Sequence, residues 1–366
     1  MKKVLFGITN LEIGGAEKVL VNIVNELKDT YDITILTLYA QGCLEKDISK
    51  DVKLESVCNK SYEQLGFIKR KFFSLQLKMP FFRKRLYKKY VAKKYDVEVA
   101  FLEGPITELL QEKSKAKKVA WIHTDLEKHY HERKHNKLIE VYKKYQHLVF
   151  VSQNSLDKFN LIDSSNTFLG KKEIIYNYIS FDSIIRLSKG KIDDKFSKEI
   201  NFVVVARLVS AKGIDRLMKV HKKLMDDKLN HHIYVVGDGP LKQELIKLQR
   251  EYKVENTFHL LGQKTNPYPY IKKGDYFLLP SYYEGYPVTL IEAMALNKFI
   301  VATNIASCEV LKDYSSKLIA ENSEEGIYNS LKQIITSPNT KNNKNKFNNP
   351  NNDILDKINK LIGGEE

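Results

Sequence analysis

Two carboxylates with a fixed spacing stand out in the segment 280–296, which reads PSYYEGYPVTLIEAMAL. The pattern places Glu284 on a turn and Glu292 on a helix that follows it. Pro287 suits the first position of that helix, because its missing N–H would be unpaired there in any case. Carboxylates at these two places could hold two parts of one ligand.

The beginning of this helix is expected to attract an anion. The amides of Gly285, Tyr286 and Val288 would point beyond the helix end, where the peptide dipoles favour negative charge. A phosphate bound there would lie between the carboxylates of Glu284 and Glu292.

A second strand end supplies positive charge. Residues 203–214 read VVVARLVSAKGI, with Arg207 directly after a strand and Lys212 at the opening of the next helix. In open α/β sheets, ligands bind beyond the carboxyl ends of the strands. Two cations there suit a diphosphate through charge-assisted hydrogen bonds, and two ordinary surface cations are the alternative.

Two further candidates lie nearer the N-terminus. Gly14 and Gly15, in the sequence IGGAE, allow a tight turn and a close backbone approach to a ligand, although a purely structural turn explains them equally well. His123 follows a strand in VAWIHTD, where its imidazole could donate to a sugar hydroxyl or a phosphate oxygen. Asp238, in IYVVGDGP, is expected only to brace its turn.

Several common catalytic motifs are missing from the sequence. It contains no Asp-x-Asp pair, no phosphate-binding P-loop, no G-x-S-x-G elbow, no H-E-x-x-H and no complete G-x-G-x-x-G dinucleotide pattern. Cations and helix ends would therefore have to do the work of a metal ion at a diphosphate.

The elements that must position these residues alternate between strand and helix along the chain. The predicted strands are Lys3–Ile8, Ile33–Leu38, Val97–Phe101, Lys118–Ile122, Leu148–Val151, Phe202–Ala206, Ile233–Val236, Thr257–Leu261 and Tyr276–Leu279. The predicted helices are Gly15–Leu27, Lys212–Met225, Leu241–Tyr252 and Pro287–Leu296. Strands that are continuous apolar runs indicate parallel sheets covered by helices on both faces.

The chain is long enough for two domains. The polar stretch Ser180–Glu199 is the best linker, which divides the chain into domains at 1–180 and 181–345. Residues 346–366 then form a loop and a short amphipathic helix that includes Ile354, Ile358, Leu361 and Ile362.

Composition narrows the class of protein. The 366 residues are 43% hydrophobic and 29% charged, as in soluble globular proteins. The three cysteines have no paired or metal-ligand spacing, and no apolar run has the length of a signal peptide core or a membrane span. These features favour a cytosolic protein.

The net charge of +15 is concentrated, because residues 64–95 contain no Asp or Glu among many Lys and Arg. Basic residues next to aromatic ones are typical of contact with an anionic membrane surface. A solvated helix face and nucleic-acid binding are the alternatives, and no nucleic-acid-binding motif supports the second. The predicted membrane-side residues are Lys69, Arg70, Phe72, Phe73, Phe81, Phe82, Arg83 and Lys84.

Together these motifs resemble the glycosyltransferase family 4 enzymes. The resemblance is carried in order by GGAE at 14–17, His123, ARLVSAKG at 206–213, GDGPL at 237–241 and EGYPVTLIEA at 284–293. It implies the GT-B fold, with two doubly wound Rossmann-like domains facing each other across a cleft and a C-terminal helix crossing back to the first domain.

The resemblance also implies a role for each motif. Arg207 and Lys212 would hold the diphosphate of a nucleotide sugar, Glu284 the transferred sugar, Glu292 the ribose, Gly14 and Gly15 the loop beside the phosphates, and His123 the sugar or the reacting centre. Transfer would be retaining and independent of metal. The expected donor is a UDP-sugar carrying a hexose or N-acetylhexosamine, and the expected acceptor is a lipid-linked glycan of a bacterial capsule or exopolysaccharide.

Such an enzyme would bind peripherally at the inner face of the membrane. A sugar-nucleotide epimerase or a phosphorylase on the same scaffold is an alternative enzyme class. A non-catalytic protein that binds membrane or nucleic acid is the alternative outside enzymes.

Overall fold

A computed structural model describes residues 1–12, 14–61, 63–129, 134–284, 286–338 and 351–364. The chain forms two compact units. The first comprises Met1–Ile179 together with Pro350–Glu366, and the second comprises Ser180–Asn349.

The first unit is built on a seven-stranded parallel sheet in the order β3-β2-β1-β4-β5-β6-β7. In chain order its elements are β1 (Lys3–Ile8), α1 (Gly15–Leu27), β2 (Asp32–Tyr39), β3 (Lys53–Cys58), α2 (Phe67–Leu77), α3 (Pro80–Tyr90), β4 (Val97–Ala100), α4 (Pro105–Leu110), β5 (Lys117–Ile122), α5 (Leu126–His129), α6 (His135–Tyr142), β6 (His147–Phe150), α7 (Gln153–Ile162) and β7 (Lys171–Ile174). The central strands are buried, as expected for a parallel sheet with helices on both faces.

The second unit is built on a six-stranded parallel sheet in the order β10-β9-β8-β11-β12-β13. Its elements are α8 (Phe181–Leu187), β8 (Asn201–Val205), α9 (Ile214–Asp226), β9 (His232–Val236), α10 (Lys242–Glu251), β10 (Phe258–Leu260), α11 (Tyr268–Lys273), β11 (Tyr276–Leu279), α12 (Val288–Ala295), β12 (Phe299–Thr303), β13 (Lys317–Ala320) and α13 (Glu324–Thr336). The α/β class predicted from the strand–helix alternation is thus confirmed.

The last helix, α14 (Asn351–Gly363), belongs to the first unit. Its buried face includes Ile354 and Ile358, so the predicted amphipathic helix is confirmed. Lys117 of β5 donates from Nζ to the Leu361 carbonyl at 2.6 Å. Asn351 donates from Nδ2 to the Ile179 carbonyl at 2.9 Å, and these bonds fix the helix on the first unit.

Each sheet has one point at which the strand order reverses. In the first unit it lies between β1 and β4, and in the second between β8 and β11. The loops that leave neighbouring strands at such a point diverge and open a crevice at the carboxyl edge of the sheet. Residues that follow these strands are therefore placed at the two ligand-binding edges.

The structure also corrects the sequence prediction. Strands β3, β7, β12 and β13 were not predicted. Three of them (β3, β7 and β13) are edge strands, and β12 lies next to β13. The edge strand β7 has the polar sequence KKEI, which gives no strand pattern. The proposed linker is wrong in its first part, because α8 occupies Phe181–Leu187. Ile184 is buried there, and Asn266 donates from Nδ2 to the Leu187 carbonyl at 2.8 Å.

Candidate active site

The turn that follows β11 brings together a carboxylate and a cation that the sequence analysis had singled out. Lys212 donates from Nζ to Glu284 Oε2 at 2.5 Å, and Ser281 donates from Oγ to Glu284 Oε1 at 2.7 Å. The Glu284 side chain is 9% exposed and that of Lys212 is 25% exposed. The carboxylate expected to contact the sugar and a cation expected to hold the diphosphate therefore form an ion pair.

Arg216, which the sequence analysis missed, holds this turn in place. Its side chain is fully buried, and Nη2 donates to the Pro280 carbonyl at 2.6 Å and to the Ser281 carbonyl at 2.8 Å. The Tyr282 ring covers the guanidinium, whose carbon lies 3.7 Å from the ring centroid. The available signal was a charged residue within the apolar stripe of α9, a position at which charges are rare unless they are paired.

Other elements attach to the same turn. Thr303 donates from Oγ1 to the Ser281 carbonyl at 2.6 Å, and Asn322 donates from Nδ2 to the Tyr282 carbonyl at 3.1 Å. The Tyr282 amide donates to the Ala211 carbonyl at 2.8 Å. Because four separate segments fix the backbone, the turn is preorganised for a ligand.

Gly213 allows α9 to begin against this turn. Its φ is +63°, in the left-handed region, and a Cβ there would lie 2.3 Å from the Pro280 carbonyl oxygen. Both the conformation and the close approach require glycine. The glycine after Lys212 is thus explained by the packing of the site.

Arg207 lies at the end of the neighbouring strand. It follows β8 after Ala206, and β8 pairs with β11 in the sheet. Its side chain is exposed and forms no ion pair with any residue that the structure describes. Of the two predicted diphosphate cations, Arg207 is thus the one whose charge is not neutralised by a neighbouring carboxylate.

Asp238 braces its own turn, as the sequence predicted. Its Oδ1 accepts from the Gly239 amide at 2.7 Å, and its Oδ2 accepts from Lys242 Nζ at 2.6 Å. The Leu208 amide donates to the Asp238 carbonyl at 3.0 Å, so the turn packs directly against the segment after Arg207.

The beginning of α12 differs from the prediction. Pro287 precedes the helix, with ψ at 81°, and Val288 is the first helical residue. The Val288 amide donates to the Tyr286 carbonyl at 2.9 Å, so it is not available for an anion. The prediction differs because Pro287 is the central residue of a tight turn from Tyr286 to Val288 and does not belong to the first turn of the helix. Of the other two predicted amide donors, Gly285 lies outside the described residues, and anion binding by the Tyr286 amide stays a prediction.

Glu292 lies on the buried face of α12 with a side chain that is 2% exposed. It accepts a hydrogen bond from the Tyr268 hydroxyl at 3.0 Å. Burial, together with this neighbouring carboxylate, raises the pKa of Tyr268 well above its usual value. Tyr268 was not predicted, and contact between Glu292 and a ribose stays a prediction.

In the first unit, His123 follows β5 and packs against Phe101, with 4.9 Å between the ring centroids. Burial lowers the pKa of His123 to about 3, so the imidazole is neutral at pH 7. Its ring also hydrogen-bonds the Phe101 carbonyl, which can only accept. With Nε2 buried and unpaired among the described residues, the proton is on Nδ1 and Nε2 presents a lone pair. In this tautomer Nε2 would accept a hydrogen bond from a ligand, and contact between His123 and a sugar or phosphate stays a prediction.

Gly14 immediately precedes α1, which begins at Gly15. A Cβ on Gly14 would lie 2.1 Å from Oε2 of Glu17, because that side chain folds back over the helix end. The helix end that was expected to favour an anionic ligand thus already has a carboxylate beside it.

Helices α2 and α3 carry the basic segment and expose part of its apolar side chains. The side chains of Phe72 and Phe81 are 60% and 79% exposed, and Lys69 and Lys84 are exposed as well. The largest exposed apolar side chains of the segment are Phe67, Ile68, Phe72, Leu75, Met79 and Phe81, which we call the apolar patch.

Four residues of the predicted membrane side, Arg70, Phe73, Phe82 and Arg83, are only partly exposed. Phe73 contacts the rings of Tyr39 and Phe82, at centroid distances of 5.8 and 6.2 Å. Arg83 pairs with Glu112 at 2.6 Å, and both side chains are largely buried. Arg70 is only half-exposed. The exposed face of the segment is therefore narrower than the sequence suggested.

Residues 188–349 match the family of glycosyl transferases group 1. The matched residues make up somewhat less than half of the chain. The match covers nearly all of the second unit, including Arg207, the Lys212–Glu284 pair and Glu292.

Comparison of the whole chain extends this result. The chain is 26% identical over 350 residues to the N-acetylgalactosamine-N,N'-diacetylbacillosaminyl-diphospho-undecaprenol 4-alpha-N-acetylgalactosaminyltransferase of Campylobacter jejuni, covering 92% of this chain and 90% of that one. It is 27% identical over 195 residues to an uncharacterised glycosyltransferase of Methanocaldococcus jannaschii, covering 51% of this chain and about half (48%) of the relative.

A solved structure of similar fold is that of HepE from Anabaena in complex with UDP and glucose. The TM-score is 0.75 at 17% identity, and the alignment covers 100% of this chain and 99% of that one. The GT-B fold class that the sequence analysis predicted for this chain is thereby confirmed.

Among the described residues, no three His, Cys, Asp or Glu side chains come together as metal ligands would. None of the helices that the structure describes is long and apolar enough to span a bilayer.

Proposed function

We propose that this protein is a retaining glycosyltransferase that transfers a hexosyl or N-acetylhexosaminyl group from a UDP-sugar to a lipid-linked glycan. The product would belong to a bacterial cell-surface polysaccharide. The observation that carries the proposal is the Lys212–Glu284 pair, which a buried arginine and three other tethers hold at the strand end next to Arg207.

In this proposal the second unit binds the donor by its diphosphate. Arg207 contributes an exposed guanidinium, and Lys212 contributes an ammonium that leaves Glu284 when the diphosphate arrives. Fixed cations at a water-poor site stabilise the charge that develops on a departing diphosphate, which is the work a metal ion does elsewhere. Glu284, once released, accepts hydrogen bonds from hydroxyls of the transferred sugar.

The similar proteins support the choice of donor and acceptor. The structure of HepE contains UDP and glucose. The relative from Campylobacter is named for a transfer of N-acetylgalactosamine to a diphospho-undecaprenol-linked sugar. A UDP-sugar and a lipid-linked acceptor are therefore the substrates we propose here.

The transfer step follows from these groups. The bond between the anomeric carbon and the diphosphate oxygen breaks, and the acceptor hydroxyl oxygen bonds to the same face of that carbon. The departing phosphate oxygen takes the proton of the acceptor hydroxyl, so no separate general base is required. Arg207 and Lys212 hold the negative charge that the diphosphate keeps.

We also propose that the first unit meets the membrane through α2 and α3. The apolar patch is exposed beside Lys69, Lys71 and Lys84, which would approach anionic headgroups. Helix α3 is held to the sheet because Tyr87 donates from its hydroxyl to Glu98 at 2.6 Å. The surface is therefore rigidly attached to the unit expected to bind the lipid-linked acceptor.

Incubation with a panel of UDP-, GDP- and ADP-sugars in the presence of EDTA tests the proposal. We expect release of the nucleoside diphosphate from a UDP-sugar, accelerated by a lipid-linked saccharide acceptor, with the anomeric configuration of the donor retained. Absence of turnover with every donor, or turnover that depends on added metal, would contradict it.

A further inference from the structure

A buried carboxylate in the first unit has one oxygen fully engaged and the other without a partner. Glu103 lies between β4 and α4, and its side chain is 8% exposed. Its Oε1 accepts from the amides of His123 and Thr124 at 2.5 and 2.7 Å, and from Thr124 Oγ1 at 3.1 Å. Its Oε2 is buried and has no hydrogen-bond partner among the described residues.

The histidine whose amide donates to this carboxylate also has a buried atom without a partner among the described residues. Nε2 of His123 is buried and accepts no hydrogen bond from any described residue, while Nδ1 is engaged by the Phe101 carbonyl. Glu103 binds the backbone amide of this same histidine, so the carboxylate and the imidazole are fixed relative to each other. Buried polar atoms of this kind are rare and costly, and a ligand is one explanation for them.

The chemistry of the two atoms limits what that ligand is. Nε2 of the neutral imidazole offers a lone pair, and Oε2 of a carboxylate also accepts. Burial raises the pKa of Glu103, whereas the amides of Thr124 and His123 that donate to Oε1 favour its ionised form. With the carboxylate ionised, both atoms are acceptors, which repel a phosphate but bind groups that donate. Both atoms lie after strands at the carboxyl edge of the sheet, beside the point where the strand order reverses.

We propose that Glu103 is a substrate-binding residue, whose Oε2 accepts a hydrogen bond from a sugar hydroxyl while Nε2 of His123 accepts from a second hydroxyl. The inference rests on the proposed function and extends it to a residue that the sequence motifs do not contain. The sugar is either that of the donor or that of the acceptor, and the two share this chemistry.

The kinetic test compares two variants that each lose a buried carboxylate of the first unit. Glu103→Gln keeps the shape of the side chain but places an NH₂ where an acceptor is needed. Asp163→Asn is the matched control, because Asp163 is also buried and accepts from the Thr167 and Phe168 amides at 2.9 and 3.1 Å. Calorimetry with UDP and turnover of UDP-sugars, with and without acceptor, are measured on both.

We expect Glu103→Gln to lower kcat/KM by about 10–100-fold, the effect of losing one hydrogen bond to a charged group. The Kd for UDP should change less than twofold, because UDP binds in the second unit. An effect on hydrolysis without acceptor assigns the donor sugar, and an effect on transfer alone assigns the acceptor. Asp163→Asn is expected to lose thermal stability only. If Glu103→Gln behaves in the same way, with unchanged kcat/KM, the proposal is overturned.

An NMR measurement separates this inference from the proposed function. The ¹⁵N shift of His123 Nε2 is followed in the full-length protein while N-acetylglucosamine, galactose, glucose or a UDP-sugar is added. We expect the shift to move in the wild type and to move far less in Glu103→Gln. If UDP does not bind but a sugar moves the shift, only the proposed function fails. If none of the sugars moves it, the role of Glu103 is refuted.

Discussion

At the scale of single residues, Lys212 can hold a diphosphate only by leaving Glu284. Their ion pair lies at a partly buried place, with Ser281 bonded to the other carboxylate oxygen. Neither residue alone would show this arrangement in the sequence, since they are 72 positions apart. In the proposed donor site, the charge of Lys212 is thus balanced by Glu284, whereas that of Arg207 is not balanced by any described carboxylate.

Replacing Glu284 tests this competition. Glu284→Gln removes the negative charge from Lys212, so we expect UDP to bind about fivefold more tightly, since such a pair is worth about 1 kcal/mol. Turnover of a UDP-sugar should fall in the same variant, because the sugar loses its carboxylate. Isothermal titration calorimetry and turnover measure the two effects, and weaker UDP binding would contradict the competition.

Arg207 is expected to act on the chemical step. Arg207→Ala should lower kcat by about 10²–10³, as the loss of one preorganised donor does elsewhere. Arg250→Ala is the matched control, since Arg250 is an exposed arginine of the same unit. Steady-state turnover at saturating donor decides the matter, and equal rates in both variants would count against the assigned role.

At the scale of elements, the turn after β11 depends on α9 through Arg216. Arg216→Lys keeps the charge but cannot reach both the Pro280 and Ser281 carbonyls, so buried acceptors are left unpaired. We expect a loss of about 2–4 kcal/mol in the free energy of unfolding and a fall in kcat/KM of at least about tenfold. Urea denaturation and turnover are measured for Arg216→Lys and for the control Arg250→Lys. Equal stability and turnover in the two variants would show that Arg216 does not hold the turn.

Two buried histidines, His221 on α9 and His231 just before β9, are expected to make the stability of the second unit sensitive to acid. Nδ1 of His221 and Nε2 of His231 lie 2.8 Å apart, and burial lowers their pKa values to about 2 and about 4. Both stay neutral in the folded state but bind protons in the unfolded state below a pH of about 6.5. Their contribution to stability is therefore complete above pH 6.5 and is lost as the pH falls towards 4.

The expected slope is about 1.4 kcal/mol of unfolding free energy per pH unit for each histidine. Urea denaturation between pH 8 and pH 5 measures it. The double variant His221→Asn/His231→Asn should show a shallower dependence on pH than the wild type. Parallel curves for the two proteins would show that these histidines are not the cause.

The sequence predicted those elements that a strong local pattern defines. Helix α1 matches its predicted bounds because six apolar residues (Ala16, Val19, Leu20, Ile23, Val24 and Leu27) recur at helical spacing. Strands β1 and β11 match because they are apolar runs. The polar edge strand β7 has no such pattern. The motif residues Arg207, Lys212, Glu284 and His123 could be placed at strand ends, but Arg216 and Glu103 could not, since their roles come from contacts with distant parts of the chain.

At the scale of the whole molecule, the net charge of +15 is concentrated in the segment 64–95, which includes helices α2 and α3, and not only at the proposed diphosphate site. The apolar patch on α2 and α3 lies among exposed lysines, whereas Phe73, Phe82 and Arg83 serve the packing of the first unit. The proposed membrane contact thus concerns the outer face of these helices, and the variants that test it must leave the inner face intact.

Binding to vesicles tests this contact. The triple variant Lys69→Gln/Lys71→Gln/Lys84→Gln should weaken binding to vesicles of anionic lipid by up to about 100-fold, at about 1 kcal/mol per lysine. The matched control changes the exposed lysines Lys189, Lys191 and Lys198 of the second unit. Cosedimentation at low and high salt is the measurement, and equal binding by the two triple variants would leave the segment as a solvated helix face.

The central claim is that fixed side chains of the second unit bind a nucleoside diphosphate without metal. Isothermal titration of UDP into the full-length protein in EDTA tests it most directly, with Arg207→Ala as the comparison. The account predicts that the wild type binds UDP and that Arg207→Ala binds it at least about tenfold more weakly. No binding in EDTA, or equal affinity of the two proteins for UDP, would contradict it.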